Sequence, residues 1–282
     1  MKKEVLFLHI FALLSFYCPS ILAQNDTITT YEGWIDASFD ALDSENYSLA
    51  EQCLKNAMKL EPANAQNGLL FVNLGTMQRR LGKYQDAEIS YTCAISLLED
   101  NSVVYSTRAS LYAEIEEYTK AIDDYTILIN RNSQDEESLY ERALCRLMNN
   151  DTVGARIDLE TIDKFNPNSA KSRIGMAMVY KAMGENAMAI ELYDILIKAN
   201  PKSWSLLRDR AEVYYFSKRL GAALIDIDKS IQLNGKDPLS YLMRAKIRWA
   251  KGDREYARRD LNRAVDLGLP QSVAADLIEK YK

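Results

Sequence analysis

Histidine is almost missing from this sequence of 282 residues, and His9, the one present, stands near the amino terminus. Imidazole is the usual general base and a frequent metal ligand, so its scarcity disfavours most hydrolase mechanisms and zinc sites. Glycine, with 11 residues, and proline, with 6, are also scarce, which excludes collagen-like and low-complexity chains. The composition, 48% hydrophobic and 27% charged, indicates a folded, helix-rich protein.

Cysteine chemistry and nucleotide chemistry also lack their usual patterns. Beyond residue 23 the cysteines are Cys53, Cys93 and Cys145, an odd number without a CxxC spacing, so neither a disulfide framework nor a zinc site is indicated. The sequence contains no glycine-rich phosphate loop, no HExxH and no GxSxG motif. We therefore expect a protein that is not an enzyme, with no catalytic residue, no metal and no cofactor.

The first 23 residues have the pattern of a secretory signal peptide. Lys2 and Lys3 precede an apolar run over 5–14, and Ala23 is a small residue where a signal peptidase would cut. Cleavage there would leave a chain without histidine, opening with a polar leader over 24–30, and would place the protein in the periplasm or outside the cell. The alternative is an uncleaved membrane anchor over 5–23, since nineteen residues nearly span a bilayer.

A period of 34 residues organises the rest of the chain. The segments 81–87, 183–189 and 251–257 share a glycine and a final alanine at matching positions. Extension of this register predicts seven repeats, separated once by the three-residue insertion 65–67. Their predicted bounds are 31–64, 68–101, 102–135, 136–169, 170–203, 204–237 and 238–271.

Two places in the repeat, counted from its first residue, always hold small side chains. The twentieth place is alanine in all seven: Ala50, Ala87, Ala121, Ala155, Ala189, Ala223 and Ala257. The eighth place is likewise small: Ser38, Gly75, Ala109, Ala143, Ala177, Ala211 and Ala245. Small residues at fixed places indicate that two helix backbones approach closely there.

The repeats resemble the tetratricopeptide repeat family over about 85% of the chain. The matching residues include Tyr47, Leu49, Ala50, Leu54, Ala57 and Pro62, and Leu74, Gly75, Gly82, Tyr84, Ala87, Tyr91 and Ala94. The resemblance implies an all-α fold in which antiparallel helix pairs stack into a right-handed α-α superhelix, with the first helix of each pair lining a concave groove. Thr152, Lys218 and Leu220 depart from the family pattern, and we expect weaker turns there.

The carboxyl-terminal segment 272–282 reads as a capping helix. Val273, Leu277, Ile278 and Tyr281 would share its apolar face. A helix array exposes apolar surface at its ends, so a helix with one polar face is needed to cover the last repeat.

Arginine at the seventh place and aspartate at the twenty-third occur together. Repeats three, four, six and seven have both, and the other three have neither. The pairs are Arg108 with Asp124, Arg142 with Asp158, Arg210 with Asp226, and Arg244 with Asp260. We predict that each pair meets between the two helices of its repeat as a partly buried, structural ion pair.

The family resemblance assigns the groove to places two, five, six, nine, twelve and thirteen of each repeat. The carboxylate clamp of chaperone-binding relatives is not matched, because Val103 and Thr107 stand where it has cations. The groove places here are apolar and aromatic with interspersed cations, and Phe216 and Trp249 are the expected anchors. The candidate partner-binding residues are Tyr140, Leu147, Met178, Lys181, Arg208, Tyr215, Phe216, Lys246 and Trp249.

These patterns predict a non-catalytic scaffold or adaptor of the cell envelope that binds a protein or peptide segment in the groove. An accessory that binds peptides or glycans for an uptake or cell-wall system remains the alternative. The net charge of −5 opposes nucleic-acid binding. A membrane contact is expected only with an uncleaved anchor, and the acidic first and basic last repeats leave self-association open.

Overall fold

The computed structural model describes residues 28–98 and 101–280. The predicted signal peptide and most of the polar leader lie outside these ranges. The described residues are all-α, with no strand among them, which confirms the predicted fold class. They fall into two compact parts: the amino-terminal part, 28–98, and the carboxyl-terminal part, 101–280.

Four helices form the amino-terminal part and eleven form the carboxyl-terminal part, counted over the described ranges. The first four are α1 (Tyr31–Asp43), α2 (Tyr47–Leu60), α3 (Asn67–Arg80) and α4 (Tyr84–Leu97). The others are α5 (Ser102–Glu114), α6 (Tyr118–Arg131), α7 (Glu136–Met148), α8 (Thr152–Phe165), α9 (Ala170–Ala182), α10 (Asn186–Ala199), α11 (Trp204–Phe216), α12 (Leu220–Leu233), α13 (Pro238–Lys251), α14 (Arg254–Asp266) and α15 (Gln271–Lys280).

Helix starts follow the 34-residue register. Each odd-numbered helix from α1 to α13 packs against the even-numbered helix that follows it. The second helix of every pair begins at the seventeenth place of a predicted repeat. The last residue of a repeat caps the next first helix, as when Ser203 accepts a hydrogen bond from the backbone of Leu206 and Asp237 from that of Ser240.

The insertion 65–67 is accommodated by one buried side chain. Asn67 begins α3 and accepts a hydrogen bond of 2.9 Å from the Tyr31 hydroxyl. Its amide nitrogen donates to the backbone carbonyls of Glu61 and Pro62. The extra turn is thereby tied to both neighbouring helices, so the register of the pairs is kept.

The two small places are where the paired helices touch. All seven alanines of the twentieth place are 0% exposed. At the eighth place of the second repeat, a Cβ added to Gly75 would lie 2.7 Å from the ring of Tyr91. A larger side chain at either place would therefore force the helices apart, which explains why these places stay small.

The turn inside each pair has a left-handed residue at the fifteenth place. Gly82, Gly184 and Gly252 hold φ between 71° and 89°, and four other residues adopt the same conformation: Glu45, Glu116, Asn150 and Lys218. The turn thus keeps its backbone geometry at Asn150 and Lys218, and the weaker turns expected in these repeats stay a prediction. For a residue with a Cβ, this conformation costs about 1–2 kcal/mol.

At the carboxyl terminus, α15 covers the last helix pair. Its Ala274 and Leu277 join Leu261 and Trp249 in one buried cluster. The predicted apolar face is wrong at Val273, which is 40% exposed, because Ala274 occupies the inward position. Tyr281 lies outside the described residues.

Replacement of the strained turn residue Lys218 by glycine should stabilise the protein. Lys218→Gly relieves the left-handed strain at φ 60° but adds freedom to the unfolded chain, so we expect a net gain of about 0.5–1 kcal/mol. Gly184→Ala at the equivalent turn is the matched control and should lower the free energy of unfolding. Chemical denaturation measures both, and a destabilised Lys218→Gly variant would contradict the assignment of strain.

Candidate functional site

The four arginine and aspartate pairs meet as bidentate ion pairs. In each, the arginine Nε donates to one carboxylate oxygen and Nη2 to the other, as the repeat pattern predicts. The Nη2 distances to the aspartate are 2.7, 2.6, 2.7 and 2.7 Å from Arg108, Arg142, Arg210 and Arg244. This fork geometry fixes the orientation of both side chains, so the first and second helices of the repeat are held in register.

Burial makes these pairs more costly to break than surface ion pairs. The aspartates are almost wholly buried, and the hydrogen bond with Asp124 raises the pKa of Arg108 above its ordinary value. Two aspartates receive a second arginine: Arg146 reaches Asp158 at 2.8 Å and Arg248 reaches Asp260 at 2.6 Å. A buried carboxylate that accepts several charge-assisted bonds is costly to leave unpaired.

Three of these arginines, Arg142, Arg210 and Arg244, also reach the preceding repeat, a contact that the repeat pattern did not predict. Nη1 of Arg142 donates to Thr126 at 2.9 Å, and Nη1 of Arg244 donates to Asp228 at 2.8 Å. Arg210 makes the equivalent contact with Asp194. The sequence feature that could have predicted this contact is a short polar residue, Thr126, Asp194 or Asp228, at the twenty-fifth place of the preceding repeat. Each of these arginines therefore joins three helices of two successive repeats.

The amino-terminal part contains a different polar network at its centre. Glu51 is 4% exposed and accepts hydrogen bonds of 2.6 Å from both Lys55 and Lys83. Gln78 donates to the same carboxylate at 3.4 Å and accepts from Ser90 at 2.7 Å. Burial alone would raise the pKa of Glu51, but the lysine hydrogen bonds outweigh it and lower the pKa below the ordinary value.

In the carboxyl-terminal part, the first helices α7, α9, α11 and α13 are joined in succession by contacts, and the surface that they form is called here the first-helix face. Salt bridges join its neighbours: Glu137 of α7 with Lys171 of α9, and Lys181 of α9 with Glu212 of α11 at 2.6 Å. Arg208 of α11 contacts Asp237, the residue before α13, at 3.2 Å. These bridges make the face a pre-ordered surface, which lowers the entropic cost of binding.

Most of the candidate partner-binding residues lie on this face. Tyr140, Leu147, Met178, Lys181, Arg208, Tyr215 and Lys246 are half-buried. Phe216 is 54% exposed and stacks edge-on against Tyr215 with ring centroids 5.5 Å apart. Leu147 also packs against the core that α7 and α8 share, so part of its surface is buried within the repeat.

Trp249 is not an exposed anchor, and that expectation is wrong. It is 8% exposed and belongs to the cluster formed where α13, α14 and α15 meet. An interior repeat would leave the twelfth place open to the groove, but here the array ends and α15 adds buried surface. Phe216 remains as the large exposed aromatic of the predicted pair.

A small recess lies between α11 and α13 on the first-helix face. Its volume is about 230 Å³, and its walls are Arg208, Asp209, Glu212, Leu239, Leu242, Met243 and Lys246. Burial raises the pKa of Asp209, although Arg208 opposes this shift. The recess combines apolar walls with charges of both signs, which suits one amino-acid side chain and its flanking polar groups.

Within the described residues, no cluster of three or more histidine, cysteine or acidic side chains could hold a metal ion. The free thiols of Cys53 and Cys145 are buried, and burial raises the pKa of Cys145 to about 11. Such a thiol is protonated at neutral pH and is a poor nucleophile. Among the described helices, none has the length and apolar character needed to cross a bilayer.

A family model and a solved structure both match this chain to tetratricopeptide repeat proteins. A tetratricopeptide repeat family model matches residues 174–238. The crystal structure of a tetratricopeptide repeat protein from Parabacteroides merdae is 35% identical, with a TM-score of 0.83, covering 89% of this chain and 98% of that one.

Two curated relatives match over shorter stretches. Anaphase-promoting complex subunit 3 of Schizosaccharomyces pombe is 18% identical over 60% of this chain and 25% of its own length. Human DnaJ homolog subfamily C member 7 is 35% identical over 28% of this chain and 16% of its own. The chain therefore spans a quarter or less of the length of these relatives.

Breaking one ion pair should destabilise the carboxyl-terminal part. Arg210→Met leaves the buried Asp226 carboxylate without its bidentate partner, so we expect a loss of about 3 kcal/mol in the free energy of unfolding. The double variant Arg210→Met, Asp226→Leu removes the orphaned charge and should recover most of that loss. Urea denaturation measures the cycle; a loss below about 1 kcal/mol in the single variant would contradict a buried pair.

The Glu51 network predicts a pH-dependent contribution. Because the folded-state pKa of Glu51 is lowered, its contribution is complete above the ordinary value of 4.5 and is lost as the pH falls through the folded pKa. The stability difference between wild type and Glu51→Gln should therefore be constant near pH 7 and shrink below pH 4.5. A difference that does not change between neutral pH and the acid side of that value would contradict the network.

Proposed function

The chain belongs to the tetratricopeptide repeat family, and we propose that it is a non-catalytic scaffold or adaptor that binds a partner segment along the first-helix face. Proteins of this family generally mediate protein–protein interaction. On this proposal the helix pairs α1 to α14 are seven repeats, with α15 as the cap. The partner and its assembly belong to the cell envelope, to which residues 1–23 direct the chain.

The exposed ring of Phe216 is the observation that carries this proposal. It is 54% exposed at the end of α11 and is oriented by Tyr215 on a face braced by salt bridges. Large aromatic side chains on rigid surfaces contribute much of the binding energy at protein interfaces. Met178, Lys181, Arg208 and the recess offer apolar and polar contacts elsewhere on the first helices.

On the first-helix face, the size of the recess favours a protein segment over a free small molecule or glycan, whereas recesses of about 380–480 Å³ lie elsewhere among the described residues. Sites that enclose small ligands usually measure about 300–1,000 Å³. The recess at α11 and α13 measures about 230 Å³, enough for one or two side chains. The peptide- or glycan-binding accessory therefore stays the alternative, and stabilisation of the protein by peptidoglycan fragments or oligosaccharides would support it.

Replacement of Phe216 should weaken partner binding while leaving the fold intact. We expect Phe216→Ala to weaken binding at least about tenfold, because an exposed anchor adds binding energy without supporting the core. Ile225→Ala is the matched control, since Ile225 is a similarly large apolar side chain, more exposed, on α12. The measurement is capture from an envelope extract, followed by titration of the captured protein against both variants of verified stability.

Equal binding by wild type and Phe216→Ala would contradict the groove assignment. Loss of binding in Ile225→Ala instead would move the interface to the second helices. Capture of no protein by the wild type, together with stabilisation by an oligosaccharide, would favour the accessory function.

A further inference from the structure

At the groove places of the first-helix face, two charged side chains lack a partner within the described residues. They are Glu141 on α7 and Lys246 on α13, and no ion pair or hydrogen bond engages either side chain. The neighbouring charges are already paired: Lys181 with Glu212, and Arg208 with Asp209. The groove places of this face therefore have one uncompensated negative charge, on α7, and one uncompensated positive charge, on α13.

Glu141 sits in a position that would gain from a cation. Its side chain is half-buried, and burial raises its pKa above the ordinary value with no opposing contact from the protein. Burial also raises the pKa of Tyr140 beside it, and the charges of Glu141 and Asp209 raise it further. A basic group from outside would relieve the desolvation cost that the fold leaves uncompensated.

Lys246 stands beside apolar surface. It lines the recess with Leu239, Leu242 and Met243, and Leu239 is 47% exposed. The two acidic residues of the recess, Asp209 and Glu212, are each engaged by another cation. The ammonium group is therefore available to a carboxylate whose neighbouring apolar side chain enters the recess.

The separation of the two charges sets the length of the occupant. From α7 to α13 there are three steps between neighbouring first helices, each roughly 8–10 Å, so the charges lie roughly 25–30 Å apart. An extended chain advances about 3.3 Å per residue and covers this distance in roughly eight residues. A helical segment rises about 1.5 Å per residue and would need more than twice as many.

We propose that the partner segment is an extended stretch of protein in which a basic side chain pairs with Glu141. About eight residues away, an acidic side chain pairs with Lys246, and the apolar side chain next to it occupies the recess. This inference rests on the proposed function, because it assigns chemistry and direction to the same face. The unlike charges at the two ends fix which way the segment lies.

Selection from a displayed library of random peptides, each about 16 residues long and so able to span both charges, tests the inference even though the partner is unidentified. The purified protein should enrich peptides in which lysine or arginine lies about eight residues from aspartate or glutamate, with an apolar residue next to the acid. One enriched peptide is then synthesised with both termini blocked, together with versions that have the basic or the acidic residue replaced by glutamine.

Single variants of Glu141 and Lys246 test the two proposed charge contacts one at a time. Glu141→Gln should weaken binding of the parent peptide about tenfold. It should leave unchanged the binding of the peptide that lacks the basic residue. Lys246→Gln should behave in the same way toward the acidic residue only. Glu191→Gln is the control and should leave binding unchanged, since Glu191 is an exposed carboxylate on the second helix α10, away from the first-helix face.

Enrichment of peptides without this charge spacing, or coupling of Glu141 to the acidic end, would overturn the inference while leaving groove binding intact. Enriched peptides that bind equally well to Phe216→Ala and to both charge variants would overturn the inference and the proposed function together. A library without any enriched peptide would also overturn both.

Discussion

The structure depends first on how closely the two helices of a repeat approach each other. An alanine at the twentieth place faces a small residue at the eighth in every predicted repeat, and these alanines have no exposed surface. A contact between backbones leaves little freedom in the crossing of the helices, so the same pair geometry recurs. Because one pair cannot bury its apolar surface alone, stability arises from stacking, and the surface of the first helices is a consequence of that stacking.

Buried ion pairs then fix the register between neighbouring helices, which apolar packing alone leaves adjustable. In the carboxyl-terminal part, each of Arg142, Arg210 and Arg244 holds its own aspartate and a polar residue of the preceding repeat. Such contacts have demanding geometry, so they select one register between neighbours where apolar surfaces alone would allow small shifts. The amino-terminal part reaches a comparable result with Glu51, held by Lys55 and Lys83.

The repeat made most of the fold predictable, because helix starts, small places and ion pairs recur and each occurrence supports the others. The features that were missed or misjudged are those that occur once or depend on the end of the array. Trp249 was expected to be exposed, but α15 and α14 complete a cluster around it. The residues of the Glu51 network do not recur as a set at the same places of the other predicted repeats. Left-handed Lys218 shows that a turn can persist without its usual glycine.

Close helix packing and buried ion pairs together hold the first-helix face in place. Its exposed aromatic ring, Phe216, lies on the same helix as residues of the small recess. The central claim is that a protein partner lies on this surface, and photo-cross-linking in the native cell tests it most directly. A photoreactive phenylalanine analogue would replace Phe216 in one strain and Ile225, on α12, in another. The account predicts a specific adduct with one protein from position 216 and none from position 225. An adduct formed only from position 225 would contradict it.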